Sequence, residues 1–431
     1  MALLQRLSKI WEKEKKAFLI YKDQEIYFKD VYDFQYEELH GIHNGDVVAL
    51  IGDYDPRTIS CLLKLIDLKT IIVPLTNLTT KQHDQFFDVA CVDFVIQKGE
   101  LSKRIHNKKN DKIDKLRKLN HAGLIAFSSG TTSSPKAILH DLSLFLSKFS
   151  EPQKSLKTLN FLLFDHVGGL NTLFYSLFNN GTTVIPNERT VDSVIHACTK
   201  HEVELLPTTP TFLRMLLMSG CVPETIPSTL KIISYGTEIM DELTLTTLCK
   251  LLPQVDFRQT YGVSELGVMS IKSEARSSLF FKIGGYGVKT RVKNNVLQIK
   301  TAKRMIGYLN SPSPFDKNGW YDTRDIVQKK NGLFKIIGRD SDIINVSGLK
   351  FMASDVERVV MGYKDILFAR VIPKNNPITG QHCEIKIQSI NESLFDIKDF
   401  KVFMSKNLQP HMIPRKITLE DAVIGHRLKR K

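Results

Sequence analysis

Short apolar, β-branched runs alternate with helix-like segments through the first hundred residues. The runs at 47–52, 71–75 and 94–96 are bounded by glycine, aspartate or proline, which predicts three strands. Between the first two, residues 58–68 are apolar at helical spacing. Strand–helix–strand alternation of this kind indicates a parallel, doubly wound sheet.

The alternation continues at 159–164, 182–185, 203–206 and 230–234, and its character changes near residue 280. Short runs at 288–292, 296–300 and 333–337 are separated by Gly, Asn and Asp turns, which predicts a small antiparallel unit. Beyond Arg339 the pattern predicts a helix at 353–361 and a strand at 367–372. We expect an α/β protein with a shortened N-terminal domain of doubly wound mixed sheets and a small β-rich unit (1–337), followed by a small α+β C-terminal domain (338–431).

The composition is that of a folded protein, and it does not identify which anionic molecule, if any, the positively charged chain binds. The 431 residues are 42% apolar and 25% charged, with a net charge of +14. The charge is concentrated in residues 98–118 and 426–431, which favours a solvated linker and a basic tail over a nucleic-acid surface. Anionic substrates such as nucleotides or coenzyme A would also suit a basic protein.

Cysteine usage and hydropathy predict a cytoplasmic protein. The six cysteines lie far apart without a CxxC pair, which is typical of thiols in a reducing compartment. The N-terminus lacks the uninterrupted apolar core of a signal peptide, and no apolar run approaches membrane-spanning length.

A loop rich in hydroxyl groups follows the apolar run 124–127. It contains Ser128, Ser129, Gly130, Thr131 and Thr132, and it ends at a proline–lysine pair that includes Lys136. A strand that enters a flexible loop lined with hydrogen-bond donors suits a polyphosphate, although a Ser/Thr-rich linker would have the same composition. A P-loop kinase is disfavoured, because no Gly-Lys-Ser/Thr sequence follows Gly130.

Four more segments carry groups that a nucleotide site needs. They contribute Gly236, Thr237 and Glu238; Tyr261, Gly262, Ser264 and Glu265; Asp325; and Arg339. An aromatic ring can stack on adenine, and a carboxylate can bind both ribose hydroxyls. A second carboxylate with a loop hydroxyl can hold Mg²⁺ on phosphate.

In this order and spacing the segments resemble the ANL superfamily of adenylating enzymes, which includes acyl-CoA and aryl-CoA ligases. The loop is similar to the family's [ST]SGTTG-x-PK signature, with Ser133 or Ser134 in place of the last glycine. Residues 261–265 are similar to YGxTE. Asp325 matches the aspartate of GWxxTGD, with Arg324 where glycine is usual, and Arg339 matches the GR that opens the C-terminal domain.

The resemblance implies that ATP activates a carboxylic acid as an acyl-adenylate. The acyl group then passes to a thiol, either coenzyme A or the phosphopantetheine of an acyl carrier protein, after a mobile C-terminal domain rotates. It also implies the binding roles: Thr131, Thr132 and Lys136 in the loop for the β- and γ-phosphates; Ser264 for the α-phosphate; Glu265 and Thr131 for Mg²⁺; Tyr261 with 236–238 for adenine; Asp325 and Arg339 for the ribose.

By the same resemblance, His166 and Gly168 line the acyl pocket, whereas a lone histidine is otherwise more often structural. The neighbouring apolar residues Phe161, Leu162 and Phe164 favour a hydrophobic or aryl acid over an amino acid.

The C-terminus departs from the family pattern. Family members usually end with a Gly-Lys pair whose lysine acts in adenylation, but here Gly425 is followed by His426 and Arg427, and the nearest lysine is Lys429. Arg427 or Lys429 could supply the cation, the enzyme could rely more on thioester formation, or the protein could bind nucleotide without turnover.

Overall fold

The computed structural model describes residues 2–32, 39–106, 108–128, 135–285, 287–364, 366–389 and 395–420. Across these residues the strands form four sheets. Their helices are α1 (Leu3–Trp11), α2 (Phe28–Tyr32), α3 (Pro56–Asp67), α4 (His83–Ala90), α5 (Asp111–Leu119), α6 (Leu142–Leu146), α7 (Val167–Phe178), α8 (Val191–Lys200), α9 (Pro210–Met218), α10 (Glu242–Leu251), α11 (Ala353–Val360) and α12 (Ile397–Asn407). The structure is therefore the mixed α/β fold that the alternation predicts.

Sheet I consists of β1 (Leu19–Tyr21), β2 (Gln24–Ile26), β9 (Thr158–Leu159), β10 (Thr183–Ile185), β11 (Leu205–Thr208), β12 (Ile232–Tyr235) and β13 (Asp256–Gln259). Its order is β13-β12-β11-β9-β10-β1-β2, and every pair except β1–β2 is parallel. The carboxyl ends of β11, β12 and β13 therefore meet at one edge of the sheet.

Sheet II consists of β3 (Val47–Ile51), β4 (Ile71–Leu75), β5 (Phe94–Gln97), β6 (Glu100–Lys103), β7 (Gly123–Phe127), β8 (Ala137–Asp141) and β19 (Gly307–Tyr308). Its order is β19-β8-β7-β4-β3-β5-β6, with a parallel centre and antiparallel strands at both edges. The predicted strands at 47–52, 71–75 and 94–96 are confirmed as its centre. The helix between the first two starts at Pro56 because the Asp55 carboxylate accepts the Thr58 amide hydrogen and caps it.

Sheet III is antiparallel and contains the predicted β-rich unit. Its strands are β14 (Tyr261–Val263), β15 (Gly267–Ser273), β16 (Phe281–Gly284), β17 (Lys289–Lys293), β18 (Val296–Lys300), β20 (Tyr321–Lys330) and β21 (Leu333–Arg339), in the order β14-β15-β16-β21-β20-β18-β17.

Sheet IV has its own apolar core. It consists of β22 (Ile343–Val346), β23 (Leu349–Met352), β24 (Ile366–Asn376), β25 (Gly380–Ser389) and β26 (Ile417–Leu419), and it packs with α11 and α12 around buried residues such as Val356 and Phe400. Arg339 is the last residue of β21, so sheet IV begins four residues later at Ile343. The domain division at 337/338 stays a prediction.

One predicted strand is much shorter than expected. The apolar run 159–164 contributes to sheet I only up to Leu159. The Asn160 amide still donates to the Val184 carbonyl of β10 at 2.9 Å, and the Asn160 side-chain amide donates to the Gly169 carbonyl at 3.1 Å. Phe161 and Phe164 are buried in two different apolar cores, so packing rather than strand pairing explains the run.

Among the described residues, no helix combines the length and the apolar character needed to cross a lipid bilayer.

Candidate active site

The hydroxyl-rich loop is closed at its base by main-chain and side-chain bonds. The Ser128 amide donates to the Lys136 carbonyl at 3.0 Å, and the Lys136 amide donates to Ser128 Oγ at 3.1 Å. Asn310 bonds the loop's outgoing end through the Pro135 carbonyl at 2.9 Å and the Ala137 amide at 3.0 Å. Ser129, Gly130, Thr131 and Thr132 lie outside the described residues.

Glu265, which lies between β14 and β15, is held by Tyr308. The Tyr308 hydroxyl donates to Glu265 Oε1 at 2.5 Å. Burial and this carboxylate raise the pKa of Tyr308, so its hydroxyl keeps the proton that it donates. Lys136 Nζ lies 5.0 Å from the centroid of the Tyr308 ring. Tyr308 therefore connects the base of the loop to Glu265.

A buried histidine fixes the segment that carries Ser264 and Glu265. His140 lies on β8, and its Nε2 is 2.7 Å from the Ser264 carbonyl oxygen. Burial lowers the pKa of His140 to about 4, so the ring is neutral near pH 7. A carbonyl can only accept, so Nε2 carries the proton and donates.

Asp325 is buried and is held by two of the predicted site residues. The Tyr261 hydroxyl donates to Asp325 Oδ2 at 2.7 Å, and Arg339 Nε donates to Oδ1 at 3.3 Å from the neighbouring strand. Burial raises the pKa of Asp325, and Arg339 and Tyr261 oppose that shift. The Tyr261 ring is only 6% exposed and packs against Phe281, so its predicted stacking on adenine stays a prediction.

Gly236 lies in close contact with Thr260, the residue before Tyr261. A Cβ at Gly236 would lie 2.6 Å from the Thr260 carbonyl oxygen, which only glycine avoids. Thr237 follows with φ +72°, and Glu238 Oε2 accepts the Thr211 amide hydrogen at 3.1 Å, at the start of α9. Gly262 lies on β14 opposite Val268.

These contacts form a continuous series. Tyr261 begins β14, four residues before Glu265, and its hydroxyl binds Asp325. The series runs from Lys136 through Tyr308 to Glu265, and back along β14 through Tyr261 to Asp325. The described residues of the predicted nucleotide site thus lie together, and their individual roles stay predictions.

The predicted acyl-pocket residues lie at the start of α7, which packs against β15. His166 is the N-cap of this helix, and its Nδ1 accepts the Gly168 amide hydrogen at 3.1 Å. The neutral ring therefore carries its proton on Nε2. Their role towards an acid stays a prediction, and Arg427 and Lys429 lie outside the described residues.

Sequence reasoning missed three residues that hold the site: Tyr308, His140 and Asn310. Each lies in or beside a short strand, where an isolated aromatic or polar residue resembles ordinary core or turn.

The chain is similar to a family of known proteins. The model of the AMP-binding enzyme family matches residues 41–296. The chain is 24% identical over 335 residues to 4-coumarate–CoA ligase-like 6 of Arabidopsis thaliana, covering 69% of this chain and 59% of that protein. It is 25% identical over 410 residues to 2-succinylbenzoate–CoA ligase of Bacillus pumilus, covering 83% and 82%.

A solved structure shares the whole fold. The o-succinylbenzoate CoA synthetase of Bacillus subtilis, in complex with an acyl-adenylate intermediate, superposes with a TM-score of 0.78 at 18% identity and covers 100% of this chain and 96% of its own. The chain spans only 59% and 57% of the lengths of two 4-coumarate–CoA ligase relatives that it matches.

Proposed function

Since the chain belongs to the AMP-binding enzyme family of the ANL superfamily, we propose that it is an AMP-forming acid–thiol ligase. In the first step, a carboxylate oxygen of the acid attacks the α-phosphorus of ATP, and pyrophosphate leaves with the electron pair of the bond that breaks. In the second step, the sulfur of a thiol attacks the acyl carbon, the thiol proton is released to solvent, and AMP leaves with the electron pair of the acyl–oxygen bond that breaks.

The observation that carries the proposal is the contact series from Lys136 through Tyr308 to Glu265, and along β14 through Tyr261 to Asp325. A carboxylate is a weak nucleophile, so such a reaction depends on holding the reactants in line and on cancelling phosphate charge. The series supplies a cation and a carboxylate at one end, and a buried carboxylate at the other.

We assign the nucleotide's ribose to Asp325. Its carboxylate is oriented on one side by the Tyr261 hydroxyl and on the other by Arg339, so it can accept hydrogen bonds from sugar hydroxyls. We assign the phosphates to the loop whose base is closed by Ser128 and Lys136.

Glu265 fits a Mg²⁺ ion. Mg²⁺ takes oxygen ligands and commonly uses one or two carboxylates together with substrate phosphates and waters, and Glu265 offers a single carboxylate that the Tyr308 hydroxyl orients. When bound, the ion supplies charge neutralisation on phosphate oxygens. Tyr308 and His140 keep Glu265 and Ser264 in place relative to the loop.

We propose coenzyme A as the thiol, because the similar enzymes are named CoA ligases for 4-coumarate and 2-succinylbenzoate. An acyl carrier protein is the alternative acceptor. We also propose that Arg427 or Lys429 replaces the usual C-terminal lysine, and a cytoplasmic location, which the six widely spaced cysteines support.

Pyrophosphate release from ATP, measured over a panel of carboxylic acids with and without coenzyme A, tests the function. We expect acid-dependent release, and on the order of 100-fold less for Glu265→Gln, because the carboxylate acts on developing phosphate charge. Glu242→Gln is the matched control, since Glu242 is exposed and pairs with Lys335 on the surface. Absence of acid-dependent release across the panel, with AMP still bound, would indicate a binding protein instead.

The same assay separates the two C-terminal cations. Wild-type rates of pyrophosphate exchange in both Arg427→Ala and Lys429→Ala would remove both residues from the mechanism.

A further inference from the structure

Lys148 is a partly buried lysine that the contacts of the candidate site do not use. It follows α6 in the turn Ser147–Phe149, and its Nζ lies 4.4 Å from the ring centroid of Phe145 and 5.1 Å from that of Phe149. Both rings are buried. The ammonium therefore rests on an aromatic floor, and its own chain supplies that floor.

Among the described residues, no carboxylate balances the charge of this ammonium. Burial and the exposed Lys303 ammonium together lower the pKa of Lys148 to about 8. Among the ion pairs of the described residues, none joins Lys148 to a carboxylate, whereas buried charges in proteins are usually paired. An anionic group next to Lys148 would offset the cost of burying the ammonium charge and the repulsion between Lys148 and Lys303.

The Phe145 ring, over which Lys148 lies, contacts elements next to Glu265 and His166. It is 6.3 Å from the His140 ring on β8 and 6.3 Å from the ring of Phe174 on α7. A Cβ built at Gly267, two residues after Glu265, would lie 4.0 Å from Phe145. The ring beneath Lys148 is thus bordered by β8, α7 and β15.

The same helix runs from the predicted acyl pocket to this aromatic floor. Gly168 and Phe174 are both on α7, and six residues of helix span about 9 Å. The lysine beside the phosphate loop is a different one, Lys136, and its Nζ lies over Tyr308. Aromatic side chains beneath Lys148 suit an organic carbon skeleton better than a triphosphate.

We propose that Lys148 binds a second carboxylate at the far end of the acid substrate, so that the substrate class is dicarboxylic acids with an apolar or aromatic skeleton. The inference rests on the proposed function, because it assigns the distal part of the acid that the same site would activate. Lys148 acts there as a specificity-determining residue, and the carboxylate that reacts is the one near Glu265.

Matched pairs of acids test the proposal. Each pair shares one carbon skeleton, with and without a second terminal carboxylate, and the readout is kcat/KM for pyrophosphate release. We expect wild-type protein to prefer the dicarboxylate by about 10- to 100-fold, the range of one charge-assisted hydrogen bond. Lys148→Met keeps the apolar stem and should lose this preference through KM, while Lys148→Arg should retain much of it.

The control is Lys200→Met, because Lys200 makes a surface ion pair with Asp23. Equal use of both acids by wild-type protein, or a preference that survives in Lys148→Met, overturns the proposal. A raised KM for ATP with every acid also overturns it, because the anion at Lys148 would then be a phosphate.

Calorimetric binding separates this inference from the proposed function. If no acid supports pyrophosphate release, the proposed function fails, and the dicarboxylate is titrated directly into wild-type and Lys148→Met protein. Binding that is at least about 10-fold weaker in the variant still supports the anion site. Equal binding, or none to the wild-type protein, overturns it.

Discussion

Replacing Tyr261 with phenylalanine removes one hydroxyl group from the buried end of the candidate nucleotide site. In the native protein this hydroxyl donates to Asp325 Oδ2 at 2.7 Å, and the Asp325 side chain is only 7% exposed. Water cannot readily replace the lost donor there. Arg339 Nε, at 3.3 Å from the other carboxylate oxygen, is then left as the main compensation.

The expected loss of stability follows from the charge and burial of the acceptor. A hydrogen bond to a charged group contributes about 1.5–3 kcal/mol, and a buried acceptor left without its donor costs a similar amount. We therefore expect Tyr261→Phe to lower the free energy of unfolding by about 2 kcal/mol near neutral pH. Weaker AMP binding should accompany this loss, since Asp325 is the proposed ribose ligand.

The loss should also depend on pH, with a definite sign. Burial already raises the pKa of Asp325 above its ordinary 3.8, and the Tyr261 hydroxyl opposes that shift, so the variant raises it further. A carboxyl whose folded pKa is raised costs stability when it is ionised, and that cost disappears as the pH falls through the folded pKa. The difference between variant and wild type should therefore shrink on acidification.

Urea unfolding at several pH values, followed by circular dichroism, measures this difference. Tyr27→Phe is the matched control, because the Tyr27 hydroxyl also donates to a carboxylate, Glu25 Oε2 at 2.9 Å, but at an exposed position. We expect the control to lose much less. Equal losses in the two variants, or a Tyr261→Phe loss that does not change with pH, would refute the reasoning.

Three further substitutions probe the scaffold of the site. Gly169→Ala should destabilise the protein by at least about 2 kcal/mol although Ala normally favours a helix, because the new Cβ would lie 2.6 Å from the Leu163 carbonyl oxygen; thermal or urea unfolding checks this. Arg324→Gly should stabilise the protein by up to about 1 kcal/mol, because Arg324 has φ +60°, a left-handed conformation that only glycine adopts without strain; urea unfolding measures the gain. His140→Gln keeps a donor for the Ser264 carbonyl but removes a titrating ring, so stability should become less sensitive to acid. The neutral buried His140 has its pKa lowered from 6.5 to about 4, so the wild-type protein should lose roughly 3 kcal/mol as the pH falls through that window, and unfolding curves across it test the difference.

Each of these has an outcome that contradicts it. Gly284→Ala is the control for Gly169→Ala, since a Cβ at Gly284 meets nothing within 4 Å. A similar change in both variants would remove steric contact as the cause. An unchanged or lowered stability in Arg324→Gly would mean that the arginine side chain compensates for its backbone. An equally steep acid response in His140→Gln would assign the response to other groups.

Much of the candidate site could be predicted because its signals are local. The loop of 128–136 is recognisable from an apolar strand followed by hydroxyl-rich residues, and β7 and β8 do enclose it. Asp325 and Arg339 were selected through separate motifs, and they face each other across β20 and β21. The order of the motifs along the chain is enough to identify these residues, and the pairing of the strands is not needed.

The residues that hold the site could not be found in this way. His140 and Ser264 are 124 positions apart, and Asn310 and Ala137 are 173 apart. A single histidine in β8 is buried, and its pattern along the chain is that of a core residue. Only the approach of β8 in sheet II to the β14–β15 connection of sheet III makes it a donor to the segment of Glu265.

The alternation of strands and helices, the hydroxyl-rich loop and the order of the motifs can be recognised from the sequence, because each depends on neighbours along the chain. Only the folded protein shows which side chain orients Glu265, what surrounds Asp325, and that Lys148 rests on the rings of Phe145 and Phe149. Those contacts depend on burial and on strand pairing between distant segments. Periodicity predicts the face on which a residue lies, but the partner across that face is selected only when the sheets pack together.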